Sequence, residues 1–322
     1  MHVHIAGTGS YLPEKILTND DIAKALPTTN DEWIYSHTGI HSRHVAADDE
    51  NTSDMAIKAS RLALDAAGVK PEELGLVLVA TSTPDYFTYP PVSCIVQGAL
   101  GATQAGAFDL AAACAGFVYG LSVASSMMEA LRKPILLVGA ELFSRTLDFT
   151  DRNTCILFGD GAGAMVLTPS DKEEGVLDSI LGSEGSAVPP IIYHTGGTRR
   201  FENDLPQGRL SMNGRATFQF AVKTCADVIT RLLDRAGKAF EDLKLVVTHQ
   251  ANARIIEAIA RRLDKPMEKF LLNMETIGNT SAASVIIAFD EAIRSNRLRH
   301  GDLVATVAFG AGLEYAGALI RW

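Results

Sequence analysis

The chain has 322 residues, 47% hydrophobic and 21% charged, with 27 glycines and a formal net charge of −9. That is material for about two domains or one large compact unit, and the acidic balance argues against general nucleic-acid binding, so an acidic partner would have to meet a local basic patch. No run of eighteen apolar residues occurs, so no membrane insertion is expected, and the start of the chain lacks the basic and apolar regions of a signal peptide, which reads as a cytoplasmic setting.

In chain order, residues 3–13 read as a strand ending in the glycine-rich loop Gly7-Thr-Gly-Ser-Tyr-Leu-Pro13, with neither phosphate-binding fingerprint following it. Thr18-Asn19-Asp20 can cap a short helix, and residues 28–53 are polar and loop-rich, with Trp33 and Arg43 among them. Residues 54–67 have helical periodicity and stop at Gly68. Residues 74–80 form a short apolar run, as expected of a strand buried on both faces of a parallel sheet. Next, residues 108–120 begin as a strand, pass through small residues around Cys114, and enter an apolar helix over 117–131. A cysteine at a helix N-terminus meets unpaired N–H groups and the positive end of the helix dipole, which predicts a thiolate. The ordinary alternative is a buried small hydrophobe. Cys94, Cys155 and Cys225 lie far from it without a CxxC pair or zinc spacing, so disulfides and a structural metal are not expected.

The pattern then repeats. Leu64-Asp-Ala-Ala-Gly68, an acidic turn and Leu74-Gly-Leu-Val-Leu match Leu233-Asp-Arg-Ala-Gly237, an acidic turn and Leu243-Lys-Leu-Val-Val. Gly68 to Gly237 and Leu74 to Leu243 are each 169 positions apart. At nearly the same offset Cys114 maps onto residues 278–284, and 135–139 onto 304–308. We read an internal duplication with halves 1–172 and 173–322. The alternation implies an α/β fold of two mixed, mostly parallel sheets covered by helices. The apolar helices after Cys114 and Asn279 are predicted to lie back to back between the sheets, their N-termini opening on one cleft.

His249 follows the strand-like 243–248, where α/β sites usually lie. Asn279 precedes the second buried helix, and Gly310-Ala-Gly312 forms a turn whose N–H groups could make an oxyanion hole. Each has a plainer reading: a satisfied core histidine, an N-cap and a tight turn. A cysteine with histidine and asparagine would suit papain-like hydrolysis, but those proteases lack a duplicated architecture. Loss of CO2 to give a carbanion instead needs neutral hydrogen-bond donors on a thioester oxygen, which an imidazole and a carboxamide supply.

The motifs as a set resemble the thiolase-fold condensing enzymes, most closely the β-ketoacyl-acyl-carrier-protein synthase III family. The resemblance rests on Gly7-Thr-Gly-Ser-Tyr-Leu-Pro13, Asp31-Glu-Trp-Ile34, Thr38-Gly-Ile40, Ala111-Ala-Ala-Cys-Ala-Gly-Phe117 and Thr150-Asp-Arg152. It continues through Phe158-Gly-Asp-Gly-Ala-Gly-Ala164, His249-Gln-Ala-Asn252, Gly278-Asn-Thr-Ser-Ala-Ala-Ser284 and Ala308-Phe-Gly-Ala-Gly312. It implies a five-layered αβαβα thiolase-like fold, a homodimer, and a two-stage reaction without metal or redox cofactor. Cys114 would take an acyl group from acyl-coenzyme A, with the N–H groups of Cys114 and Ala311 as oxyanion hole. His249 and Asn279 would then hold malonyl-acyl carrier protein as CO2 departs. Trp33, Arg152 and Asn252 match coenzyme A positions, with surface packing as the alternative for the first two, and Asn252 is also expected to position His249. Arg254 matches a carrier-protein position; Arg261 and Arg262 add charge beside it, or form a solvated helix face. Phe87 and Tyr89 stand on the loop that in the family reaches the partner's acyl pocket.

Four features depart from the family. His37 replaces an arginine near the nucleotide, Gln219 replaces a lysine facing the carrier protein, and Glu314 lies in a changed closing turn. The loop at 84–91 is slightly long. Alternatives are a starter-unit enzyme of a secondary pathway and a catalytically silent partner subunit. A thiolase proper would need a cysteine where Ala311 stands, and hydroxymethylglutaryl-CoA synthase would need a differently placed acid.

Overall fold

The computed structural model describes residues 2–186, 190–194, 198 and 210–322. From the N-terminus, β1 (His2–Tyr11) leads through β2 (Lys15–Thr18), α1 (Asn19–Ala25), α2 (Asp31–Thr38) and β3 (Ser42–Val45) to α3 (Thr52–Ala67). Then come β4 (Leu76–Ala80), α4 (Val92–Leu100), β5 (Gly106–Leu110), α5 (Gly116–Leu131), β6 (Ile135–Glu141) and β7 (Gly161–Ser170). The chain continues with β8 (Gly175–Ser183), β9 (Ile191–Tyr193), β10 (Leu210–Met212), α6 (Gly214–Ala236) and β11 (Leu243–Thr248). It closes with α7 (Ala253–Leu263), α8 (Met274–Ile277), α9 (Ser284–Arg294), β12 (Leu303–Phe309) and β13 (Glu314–Arg321).

The main strands run in the order β5-β4-β6-β7-β1-β8-β13-β12-β11. One parallel bridge, Val3 to Gly175, joins β1 to β8, so the array is two sheets hinged at their inner edges. β4–β5, β4–β6 and β11–β12 pair in parallel, whereas β6–β7, β1–β7, β12–β13 and β8–β13 are antiparallel. The sheets are mixed as expected, with a larger antiparallel share than the apolar runs implied. The short turn at 310–313 shows why: a hairpin suffices between antiparallel neighbours, whereas parallel ones need a crossover.

The layers follow the apolar faces. Helix α3 covers β1, β6 and β7 on one outside, and α6 covers β8, β12 and β13 on the other. Between the sheets, α5 touches β4, β6 and β7 on one side and β8, β12 and β13 on the other, while α9 touches β1, β7, β11 and β12. This is the αβαβα arrangement. The repeated helix ends also coincide: Gly68 and Gly237 adopt φ of 63° and 61°, and their N–H groups bond back to Asp65 and Leu64, and to Asp234 and Leu233. Both are αL caps, where glycine carries no Cβ penalty.

Burial of the two central helices is unequal. Residues 284–290 of α9 are all buried, but on α5 Tyr119, Val123, Met127 and Leu131 are only partly covered. The stretch Ala113–Leu131 is long and apolar enough to cross a membrane by composition, yet here it is a layer of the fold. Nearby, β5 is an unpaired sheet edge whose Phe108 is 37% exposed.

What brings α9 close to the first sheet is a missing side chain. A Cβ at Gly139, in the middle of β6, would stand 2.7 Å from the carbonyl oxygen of Ala282. Gly139→Val is therefore expected to lower unfolding free energy by about 1–3 kcal/mol through overpacking, read as a lower denaturant midpoint; an unchanged midpoint would show that this contact does not wedge the turn.

Candidate active site

Cys114 does not begin α5. It occupies a 3-10 turn, Ala113–Ala115, that delivers the chain into the helix. Ser281–Ala283 forms the matching turn before α9. Both start on a non-glycine residue in the left-handed region, Ala113 at φ 43° and Ser281 at φ 48°, a conformation costing about 1–3 kcal/mol that persists only where packing imposes it. The two turns pack against each other, and Cys114, His249 and Asn279 line one cavity of about 570 Å³. Its other walls are largely apolar, with Leu157, Phe158, Met212, Phe218, Ile255 and Phe309. These three residues, 135 to 165 positions apart in pairs that span the halves, thus meet in one apolar chamber.

Each polar group in the chamber is held from behind. Asn279 is 4% exposed; its backbone N–H donates to Leu157, and its carbonyl accepts from Gly159. Its side-chain oxygen accepts the N–H of Ser281 at 2.8 Å, which turns the amide nitrogen to the cavity. This is a side-chain turn leading into the 3-10 segment Ser281–Ala283, not the N-cap of α9 that position alone suggests. His249 is 2% exposed, its ring edge against Phe309 with centroids 5.2 Å apart. Its Nδ1 lies 2.6 Å from the Ser284 hydroxyl, which also accepts the N–H of Gln250 at 3.3 Å. The Ser284 proton has its acceptor in Nδ1, and this accounting assigns the ring proton to Nε2. Ser284 therefore does the work expected of Asn252. The Asn252 side chain caps α7 through the N–H of Arg254 and donates to the carbonyl of His37, while still lining the cavity.

Electrostatically the chamber favours neutral forms. Burial pushes the His249 imidazole down to about 3, so it is uncharged at neutral pH. Burial likewise pushes the Cys114 thiol up to about 12; the Ser281 hydroxyl lowers it, and the charges of Glu141 and Glu314 raise it further. Burial in this apolar cavity thus opposes the thiolate predicted from the helix dipole. Around the sulfur, the N–H of Cys114 itself faces it. Among the described residues no group accepts from the N–H of Ala311. Glu314 lies in the supporting shell: its carboxyl, pushed up by burial, takes the N–H groups of Glu314 and Gly312, and a methyl at Gly310 would collide with it.

The remaining candidates surround the chamber without entering it, Asn252 aside. The Arg152 guanidinium stacks 4.4 Å from the Trp33 ring, whose centroid is 4.1 Å from that of His37. Arg254 is committed to the carbonyl of Ser36 and to Glu257, leaving Arg261 and Arg262 exposed on α7, the latter 3.9 Å from Asp227. Gln219 is exposed on α6. Phe87 and Tyr89 are 54% and 78% exposed and do not line this chain's own cavity.

Sequence reasoning missed three groups behind the site: Ser284, Ser281 and Glu141. Two of them stand within the quoted Gly278–Ser284 stretch. Glu141 had one signal, an acid closing the otherwise apolar strand Ile135–Glu141.

Comparison with known proteins agrees with this architecture. Residues 108–185 match the family described as 3-oxoacyl-[acyl-carrier-protein (ACP)] synthase III, and residues 233–322 its C-terminal part. The chain is 47% identical over its full length to a β-ketoacyl-[acyl-carrier-protein] synthase III of Xanthomonas oryzae, covering 99% of that protein. Across 99% of the chain it is 45% identical to one from Caldanaerobacter subterraneus, covering 97% of that protein. The crystal structure of 3-oxoacyl-[acyl-carrier-protein] synthase III from Aquifex aeolicus superimposes with a TM-score of 0.91 at 41% identity, covering 99% of this chain and all of that one. With its layered fold, the chamber shared by both halves and these relatives, the chain belongs to the β-ketoacyl-acyl-carrier-protein synthase III family of acyltransferases, the condensing enzymes of fatty acid synthesis.

Proposed function

We propose that the chain joins an acyl-coenzyme A primer to malonyl-acyl carrier protein with loss of CO2, giving a 3-oxoacyl-acyl carrier protein two carbons longer. The observation that carries the residue roles is that Nδ1 of His249 is tied back to Ser284 and the side-chain oxygen of Asn279 to Ser281, on the wall of the cavity containing Cys114, which leaves Nε2 and the amide nitrogen as donors toward it. In this reading Cys114 attacks the primer thioester, and the carbonyl oxygen takes the N–H groups of Cys114 and Ala311 as charge develops. Coenzyme A leaves. His249 and Asn279 then donate to the malonyl thioester oxygen; CO2 departs, and the carbanion attacks the acyl-cysteine. A neutral imidazole suits this step, since the electrons released need stabilising and no proton has to be removed. Residues 1–172 supply the sulfur, residues 173–322 the imidazole and the amide, and no metal or redox cofactor enters.

Recognition is read as follows. Trp33 and Arg152, stacked on each other at 4.4 Å, would part to take the adenine of coenzyme A between their flat faces, with Asn252 at the chamber wall. Arg261 and Arg262 give an acidic protein a basic face for an acidic carrier; Arg254, already paired, contributes less. The apolar edge of β5, the half-covered face of α5 and the exposed Phe87 and Tyr89 support a homodimer, since a bare apolar edge seeks a partner strand; a cytoplasmic setting is read from the sequence alone. In that dimer the two aromatics would gate the partner's acyl pocket.

Four measurements test this. Intact mass after incubation with a panel of acyl-coenzyme A thioesters should show one acyl adduct that Cys114→Ser abolishes. His249→Ala and Asn279→Ala should keep that adduct while condensation falls about 10²–10³-fold; equal loss of both steps would contradict the assignment. Arg152→Ala should raise KM for acyl-coenzyme A about tenfold at unchanged kcat, and a constant KM would remove it from the coenzyme A site. Phe108→Lys should shift the sedimentation profile from dimer toward monomer; a dimer of undiminished affinity would place the interface elsewhere.

A further inference from the structure

Behind Cys114 lies a buried acid that the reaction described so far does not use. Glu141 closes β6 and is fully buried. One carboxylate oxygen accepts from the Thr83 hydroxyl at 2.7 Å and the N–H of Ser82 at 3.0 Å; the other accepts from the Ser281 hydroxyl at 3.0 Å. The turn carrying this hydroxyl packs on the turn carrying Cys114, near enough for the hydroxyl to lower the thiol. The Ser281 hydroxyl thus stands between the sulfur and the carboxylate, hydrogen-bonded to the carboxylate.

We propose that Glu141 is the proton acceptor that activates Cys114, acting through the hydroxyl of Ser281. The proposal rests on the reading of Cys114 as acyl acceptor. As the sulfur attacks the primer carbonyl, the S–H proton passes to the Ser281 oxygen while the Ser281 proton passes to Glu141. The new bond joins the Cys114 sulfur to the acyl carbon, and the bond from that carbon to the coenzyme A sulfur breaks. Glu141 then returns its proton through Ser281 to the departing coenzyme A thiolate, so no proton is gained or lost overall.

Two observations favour this acceptor over His249. With Nδ1 taken as the acceptor of the Ser284 proton, the imidazole carries its own proton on Nε2, and burial makes it a poor base. Glu141, by contrast, is held up to about 7, by burial first and against the hydrogen bonds it accepts, the range in which a base works at neutral pH. Its charge is also one of the things raising the thiol, so protonating it removes a repulsion as the thiolate forms. The titratable groups facing this line are Cys114, His249 from across the chamber and Glu314 from the closing turn. Strands β4 and β7 and the turn Ser281–Ala283 carry none. On α3, Asp54 is used in capping at Asn51, and Lys58 pairs with Glu50.

The test is the pH dependence of Cys114 acylation by acyl-coenzyme A without malonyl substrate, followed by intact mass. In the unaltered protein the rate should rise with pH through a midpoint near 7, as Glu141 ionises. Glu141→Gln should acylate about 10²-fold more slowly and lose that midpoint, with KM for acyl-coenzyme A unchanged; Glu141→Asp should restore the midpoint in part. Ser281→Ala, which leaves the acid in place and removes the bridge, should behave as Glu141→Gln does and covers the case in which that variant fails to fold. Retention of rate and midpoint in both the Glu141→Gln and Ser281→Ala variants, or loss of the midpoint in His249→Ala alone, would overturn the relay. Absence of any Cys114-dependent adduct in the unaltered protein would instead overturn the nucleophile reading beneath it.

Discussion

The contact between the two 3-10 turns at the centre of the fold governs the rest of the site. Each turn is entered through a residue held at positive φ, Ala113 in one and Ser281 in the other, and a chain segment would not adopt that conformation for its own sake. It persists because the turns pack on each other and because β6 offers Gly139, with no side chain, where the backbone of Ala282 arrives. Close approach at this point puts the sulfur of one turn beside the hydroxyl of the other. It also places Asn279 and His249 on the same chamber. The apolar helices behind the turns then have to lie between the sheets, and the layering follows.

Desolvation decides the protonation states. The same apolar walls push the thiol up, the imidazole down and the buried Glu141 up, all three toward the neutral form. For the imidazole this is what stabilisation of an enolate requires, because a neutral donor held by Ser284 gives direction without adding a cation that would hold the malonyl carboxylate in place. For the thiol it is a cost, because a neutral sulfur is a slow nucleophile. A carboxylate within one hydroxyl of that sulfur resolves the conflict without opening the chamber to water.

Much of this was legible from the residues. The repeated helix end, glycine and strand located the duplication, and Gly68 and Gly237 show why: an αL cap is a local demand that only a few residues satisfy. Cys114, His249 and Asn279 were readable because each follows a strand or precedes an apolar helix at an equivalent place. The supporting groups were not. Ser284 holds His249 across 35 positions, and Ser281 reaches Glu141 across 140; no periodicity relates residues brought together by layers packing. Asn252 was credited with orienting the imidazole because it is near in sequence, yet α7 begins at Ala253 and claims that side chain as its cap. The charge state of the thiol was misjudged for a related reason: a helix dipole can be read from local sequence, whereas burial depends on walls contributed by the other half.

The duplication explains why these walls carry different chemistry. Aligned on their positive-φ residues, the turns place Ala113 opposite Ser281 and Cys114 opposite Ala282. The Ala282 backbone lies against Gly139, and its Cβ lies 3.6 Å from where a Cβ at Gly116 would stand, so Ala282 is packed between elements while Cys114 lines the chamber. The other copy instead carries a hydroxyl at the residue before it, which donates to Glu141. A pseudo-symmetric frame thus carries an asymmetric site: the turn packed on β6 holds a supporting hydroxyl, and the turn that opens on the chamber holds the thiol.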